Sequence, residues 1–541
     1  MDTWTTQLTP LSFLGRSAEV YRDKVAVVHG TERWTYRELA QRVQQLAAAL
    51  RAAGVGPGDR VAYLMPNVPE MIVAHFAVPL AGGVLVAINT RLSAEEVRYI
   101  CDHSGAVVLV VDPASAPTVA PLAGTLTTVR MVVTTADPAS PVAAEPVPGS
   151  ISYEQLLAGA AGEPLPWTVD DELATIAINY TSGTTGRPKG VMYTHRGAYL
   201  NALGETLHST HSPDSVYLWT LPMFHCNGWC TAWALVAIGG TQVCLREVRG
   251  DAIWTLINTE HVTHLNGAPT VVTTILNTPQ ARKLDRRIVV TTAGAPPSPT
   301  TILEAERKGF SIVHVYGLTE TYGPYAVCQW QREWDDLDQH ERSRLRARQG
   351  VGMIQADRLR VVGSRLRDGV LVDVPADGAT MGEIVMRGNN VMKGYYRDPD
   401  GTAKAFAGGW FHSGDLGVMH PDGYVELRDR LKDVVVSGGE NISTVEVEQA
   451  LLAHDAVLDS AVIGVPDAKW GERPKAFVVL KPGATTTEEE LLDHVRSRIA
   501  RYKTPREVEF LAQLPKTSTG KIQKFTLREK EWAGEQARIR G

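Results

Sequence analysis

The first 110 residues constrain the fold most, because helix-period and strand-period segments alternate there without interruption. Thr35-x-x-Glu38 has the form of a capping box, with Leu39, Val43, Leu46 and Leu50 at helical spacing behind it and Gly54 as the stop. A strand is expected at Arg60–Met65, an apolar helix around Met71–Leu80, and a strand at Val84–Ile88. Ser93-x-x-Glu96 opens another helix, and Ala106–Val111 reads as a buried strand. Such βα alternation predicts an α/β fold built on a doubly wound, mostly parallel sheet.

Further strands are expected near Ala174–Asn179, Ile288–Thr292 and Ser311–Val315, with a solvated helix over Glu333–Arg348 and a β-rich stretch at Leu359–Val385. Residues 113–150, rich in Pro, Ala and Thr, read as surface elaboration. Near the end of the chain a helix is predicted from Thr444, strands at Leu458–Val465 and Lys475–Leu480, and a helix capped by Thr487-x-x-Glu490.

With 541 residues, 44% hydrophobic and 21% charged, the composition is that of a soluble globular protein of two or three domains. No apolar run reaches membrane-spanning length and no signal-like N-terminus is present, so no membrane span is expected and the cytoplasm is the default compartment. Five cysteines without CxxC spacing argue against a disulfide framework. Cys226 and Cys230 beside His225 lack the second cluster that a structural zinc site requires, and small buried thiols beside an apolar pocket are expected instead. The net charge of −6 argues against a nucleic-acid partner, although residues 501–541 hold ten Lys and Arg against five Glu.

The strongest chemical signal is Thr181-Ser-Gly-Thr-Thr-Gly-Arg-Pro-Lys-Gly190, which follows a predicted strand. Glycines let successive backbone N–H groups face one concavity, hydroxyls add donors, and Lys189 adds a compact positive charge. This is phosphate chemistry at a strand end, where α/β sheets place ligands. It is not the P-loop of NTPases: with four residues intervening, Gly183 is followed by Pro188 instead of Gly, and Lys189 is followed by Gly190 instead of a hydroxyl residue.

The loop resembles the phosphate-binding signature of the adenylate-forming superfamily, which comprises acyl-CoA synthetases, luciferases and peptide-synthetase adenylation domains. Further signatures follow in the same order: Pro222-Met-Phe-His-Cys-Asn-Gly-Trp229, Val315-Tyr-Gly-Leu-Thr-Glu320, Gly382-Glu-Ile384 and Trp410-Phe-His-Ser-Gly-Asp415. After them come Asp429–Ile442 (DRLKDVVVSGGENI) and Pro515-Lys-Thr-Ser-Thr-Gly-Lys521. The likeness is to medium- and long-chain fatty acyl and aryl-acid CoA ligases.

The resemblance implies a large N-terminal domain (1–430) with doubly wound sheets and a β-rich subdomain, a small mobile α+β lid (431–541), and a hinge near Lys432. It implies an ATP- and Mg²⁺-dependent ligase that joins a carboxylic acid to AMP with release of pyrophosphate and then passes the acyl group to coenzyme A. An enzyme that stops at acyl-AMP or loads a carrier protein stays open, as does luciferase-like oxygenation. Many relatives are homodimers, and nothing in the residues specifies an interface.

By the same resemblance, Thr181, Ser182, Gly183, Thr184, Thr185, Gly186 and Lys189 cradle phosphates, and Thr319 bonds the α-phosphate. Glu320 holds Mg²⁺. Tyr316 and Gly317 flank the adenine, with Gly294, Ala295 and Pro296 on its other side. Asp415 grips the ribose, Arg430 assists at the hinge, and Lys521 contacts the carboxylate during adenylation. His225 neighbours the reacting carbonyl, Trp229 gates the acyl tunnel, and Gly438 and Gly439 let pantetheine approach. Each has a plainer reading: Lys521 as surface charge, Glu320 as a helix-start acid, Asp415 as a turn former, and Tyr316 and Trp229 as core.

Overall fold

The computed structural model describes residues 4–140, 147–160, 162–181, 188–294, 299–367, 370–430, 432–437, 440–467, 469–517 and 522–532. Two large sheets dominate. One has eight strands in the order Gly394–Tyr395, Lys189–Thr194, Thr175–Thr181, Val84–Ile88, Arg60–Leu64, Ala106–Val111, Met131–Thr134, Ile151–Ser152. The other has nine: Val351–Gly352, Gly323–Val327, Phe310–Leu318, Ile288–Thr292, His264–Gly267, Val216–Leu218, Thr241–Val243, Val25–His29, Glu32–Thr35. Both are parallel at their centres and antiparallel at one or both edges.

Most predicted elements lie where the patterning put them. Both N-terminal capping boxes form, with Thr35 and Ser93 accepting from the backbone N–H of Glu38 and Glu96. The parallel strands read as continuous apolar runs because both of their faces are covered; every residue of Val84–Ile88 is buried. The helix Pro69–Leu80 is apolar on all sides and almost wholly buried, since it packs in a cluster that also takes side chains from both sheets. Two expectations need correction. The solvated helix expected over Glu333–Arg348 is instead a 3₁₀ turn, Arg332–Asp336, and a separate helix, Gln339–Arg346, with Arg348 buried. Residues 113–150 are not merely surface elaboration: Met131–Thr134 extends the eight-stranded sheet, parallel to Ala106–Val111.

An antiparallel five-stranded sheet follows, formed by Val370–Asp373, Arg360–Arg367, Gly382–Met386, Phe411–Met419 and Val425–Arg430. The next sheet begins at Val435 and carries the helices Thr444–Leu452 and Glu488–Arg496 on its own apolar core. No helix among the described residues is long and apolar enough to cross a membrane.

Candidate active site

The glycine-rich segment joins two antiparallel strands, with Thr181 opposite Lys189. Ser182, Gly183, Thr184, Thr185 and Gly186 lie outside the described residues. Their flanks are braced: Tyr99 donates to the Pro188 carbonyl (3.2 Å), and the Tyr180 hydroxyl meets His103 Nδ1 (2.8 Å). Lys189 Nζ lies 3.1 Å from Asp398 Oδ2 and 4.6 Å from the centre of the Tyr395 ring.

The strand Phe310–Leu318 delivers Tyr316, and the antiparallel pair Phe411–Met419 and Val425–Arg430 sets Asp415 opposite Arg430. These three predicted residues meet. The Tyr316 hydroxyl donates to Asp415 Oδ2 at 2.7 Å, and Arg430 Nε lies 3.5 Å from Asp415 Oδ1. Asp415 is 4% exposed, and that burial pushes its carboxyl above the usual range. Glu383, of the Gly382-Glu-Ile384 signature, steadies the loop before it by accepting from the Gly414 N–H (3.0 Å) and His412 Nδ1 (2.8 Å). Gly317 is held to glycine by close approach, since a Cβ there would sit 1.9 Å from the Gly323 carbonyl oxygen. Gly294 has φ +92°, while Ala295 and Pro296 lie outside the described residues.

Thr319 and Glu320 occupy a short 3₁₀ turn, Thr319–Thr321, at the end of that strand. Tyr193 donates to the Thr319 carbonyl (2.6 Å), and the Cys226 thiol donates to the Thr319 hydroxyl (3.4 Å). Glu320 Oε1 accepts from the Tyr395 hydroxyl (3.0 Å), and the Met392 N–H donates to the Glu320 carbonyl (2.7 Å). Burial raises the Glu320 carboxyl above its ordinary range. A partly buried carboxylate backed by a neutral phenol suits a hard cation that takes its remaining ligands from phosphates and water. Magnesium therefore fits here.

His225 precedes an unusual turn. Cys226, Asn227, Gly228, Trp229 and Cys230 all have φ between 51° and 67°, a run of left-handed residues that only Gly adopts freely. A polar chain through the core holds it. Asn179 Nδ2 donates to Asn227 Oδ1 (2.6 Å), Asn227 Nδ2 donates to His75 Nε2 (3.1 Å), and His75 Nδ1 donates to the Met71 carbonyl (2.7 Å). The turn aims Trp229 into an apolar cluster with Leu221, Cys226, Ala293, Val315, Val327 and Met353. The indole, 5% exposed, lies against Gly323, where a Cβ would come within 2.6 Å of it. Burial lowers His225 to about 4, so its ring is neutral at neutral pH.

Lys432 is half-buried, which lowers its ammonium below the usual lysine range. Lys521, Gly438 and Gly439 lie outside the described residues. The site also contains residues that motif reasoning missed. Tyr395, Tyr193 and Asp398 have no short sequence signal that distinguishes them, and only the packing of distant strands brings them to Glu320, Thr319 and Lys189.

Comparison with known proteins bears on this geometry. The model of the AMP-binding enzyme family matches residues 14–396, and that of the AMP-binding enzyme C-terminal domain matches residues 446–521. The chain belongs to the AMP-binding enzyme family. This AMP-binding enzyme is 44% identical to an acetate–CoA ligase of Humulus lupulus over 97% of its own length and 95% of the relative's. It is 42% identical to 4-hydroxybutyrate–CoA ligase 2 of Metallosphaera sedula, again over 97% and 95%. Among solved structures it superposes with ATP-bound MatB of Rhodopseudomonas palustris at a TM-score of 0.83 and 29% identity, covering 97% and 99% of the two chains. It is an ATP- and CoA-dependent, AMP-forming acid–thiol ligase.

Proposed function

We propose that this ligase activates short-chain aliphatic carboxylic acids. The observation that carries the reading is the position of Trp229. Its indole lies in the same small apolar cluster as Cys226, whose thiol touches the Thr319 hydroxyl. An acyl chain leaving a carboxylate near Thr319 therefore meets the indole after a few carbons. The relatives support the same size: they are named for acetate, acetate/butyrate, 4-hydroxybutyrate and 2-methylpropanoate. This departs from the sequence-based expectation of medium- or long-chain or aryl acids, which the named substrates of these relatives do not support.

In this reading Asp415, oriented by Tyr316 and Arg430, binds the ribose hydroxyls, and Lys189 with the glycine-rich loop binds phosphates. Glu320 would hold Mg²⁺, which supplies neutralisation of phosphate charge when bound. The Thr319 hydroxyl, with the Cys226 thiol as its donor, keeps its own proton for the α-phosphate. A carboxylate oxygen attacks the α-phosphorus as the bond to pyrophosphate breaks, with Lys521 offsetting the joint negative charge. The CoA sulfur then attacks the acyl carbon and AMP departs. Neutral His225 beside that carbon is suited to hydrogen bonding and not to carrying charge.

The test is kcat/KM for acyl-CoA formation, followed by mass spectrometry, on straight-chain acids from acetate to decanoate and on benzoate. A maximum between acetate and valerate is expected, with a fall of roughly tenfold or more by octanoate. A maximum at octanoate or longer, or on benzoate, would overturn the short-chain reading.

A further inference from the structure

Resting on the reading that Glu320 and Lys189 face ATP, we infer that Tyr395 is a positioning residue that holds the two ends of the polyphosphate site in one register. Its hydroxyl donates to Glu320 Oε1 at 3.0 Å, while Lys189 Nζ lies 4.6 Å from the centre of its ring. One side chain thus touches both the carboxylate suited to the cation and the lysine that flanks the phosphate loop.

The backbone around Tyr395 is tied to both partners. Gly394 and Tyr395 pair antiparallel with Met192 and Val191, on the strand that leaves the glycine-rich segment. The Tyr396 N–H donates to the Gly190 carbonyl (2.7 Å), and the Met392 N–H donates to the Glu320 carbonyl (2.7 Å). The Thr402 hydroxyl accepts from the Tyr395 N–H (2.9 Å), and Asp398, which takes Lys189 at 3.1 Å, caps the helix Pro399–Ala405 through the Gly401 N–H. Residues 392–402 form a strap with one end on Glu320 and the other on Lys189.

The chemistry follows from this placement. A phenol that donates to one carboxylate oxygen fixes the plane of the carboxyl group and leaves the other oxygen for a cation. The face of the same ring attracts an ammonium, so Lys189 is kept near the strap instead of sweeping through solvent. A packing role alone would need the ring and not the hydroxyl. The hydroxyl therefore separates the two explanations.

The experiment is isothermal titration calorimetry of the full-length protein with α,β-methylene-ATP, which cannot be cleaved at the bond adenylation breaks, with and without Mg²⁺. Tyr395→Phe is expected to bind the Mg²⁺-free nucleotide as the wild type does and to lose roughly 10–100-fold of the Mg²⁺ enhancement. Tyr395→Leu is expected to lose, in addition, about two- to fivefold in Mg²⁺-free affinity, because the ring face is gone. Melting temperatures check that each variant is folded; should the Leu variant fail to fold, the Phe variant decides. Wild-type enhancement that survives Tyr395→Phe overturns the role of Tyr395 alone. Absence of enhancement in the wild type, or its survival in Glu320→Gln, overturns the assignment of Glu320 and the inference with it.

Discussion

Glu205 is a buried carboxyl group on the helix His195–His208, accepting from Ser209 Oγ (3.3 Å), Thr231 Oγ1 (3.3 Å) and Asn266 Nδ2 (3.1 Å). Burial raises it from 4.5 to about 7. Its folded value lies above its unfolded one, so the folded state binds more protons between them and stability falls as pH rises through that window. The stabilisation is full below pH 4.5 and is lost by the time pH passes about 7. Glu205→Gln is expected to remove this slope, about 3 kcal/mol between roughly pH 4.5 and pH 8, measured by urea unfolding at both ends. Trp229 makes a second prediction at this scale. Trp229→Ala should raise kcat/KM for hexanoate relative to butyrate by at least about tenfold, because the wall at the end of the acyl chain is removed.

The left-handed turn at Cys226–Cys230 is the element on which both His225 and Trp229 depend. Left-handed backbone costs roughly 1–2 kcal/mol at each non-glycine residue, so the Asn179–Asn227–His75 chain must hold what local preference opposes. Gly228 is its one relaxed member and also its tightest contact, since a Cβ there would lie 2.4 Å from Trp219 Cζ3. Gly228→Ala is expected to destabilise the fold by about 1–3 kcal/mol in chemical denaturation and to impair acid binding more than ATP binding. Little of this was legible beforehand. The capping boxes at Thr35 and Ser93 could be read because both partners sit three residues apart. The motif residues could be listed, and Tyr316, Asp415 and Arg430 lie together in the structure. But nothing in Cys-Asn-Gly-Trp encodes five positive φ values, and Tyr395 reaches Glu320 only across 75 positions of chain. Met131–Thr134 escaped notice because four residues hold too few repeats to show a period, and only its neighbour, Ala106–Val111, makes it a strand.

For the whole molecule, the contacts around residue 430 decide how the last hundred residues sit. Buried Asp429 accepts from both the N–H and the hydroxyl of Thr444, the first residue of the helix Thr444–Leu452, where a negative charge meets the helix dipole. Lys524 donates to the same hydroxyl (2.6 Å), and Arg528 pairs with Asp433 (2.7 Å), so the helix Lys524–Glu531, three residues after Lys521, is bound to this junction. If the chain hinges at Lys432, as the family resemblance implies, the Asp429–Thr444 contact spans the moving parts. Asp429→Ala should then slow one half-reaction about fivefold while sparing the other, as a lost cap of ~1 kcal/mol allows. Pyrophosphate exchange and thioester formation from supplied acyl-AMP measure the two separately, and equal slowing of both would mark a simple loss of stability.

The two large sheets are interleaved along the chain: the strand Val25–His29 pairs with Thr241–Val243, and Gly394–Tyr395 closes the sheet that Arg60–Leu64 begins. On a ribosome adding about 5–20 residues per second, the first strands wait roughly 20–80 s before residue 395 is even made. Within that interval Val84–Ile88 and Ala106–Val111 gain their partners Arg60–Leu64, Met131–Thr134 and Thr175–Thr181, while the strand Lys189–Thr194 keeps an open edge until Gly394–Tyr395 arrives. A message truncated before codon 395 is therefore expected to yield a fragment with that edge uncovered, a template for pairing with other chains instead of a smaller working protein.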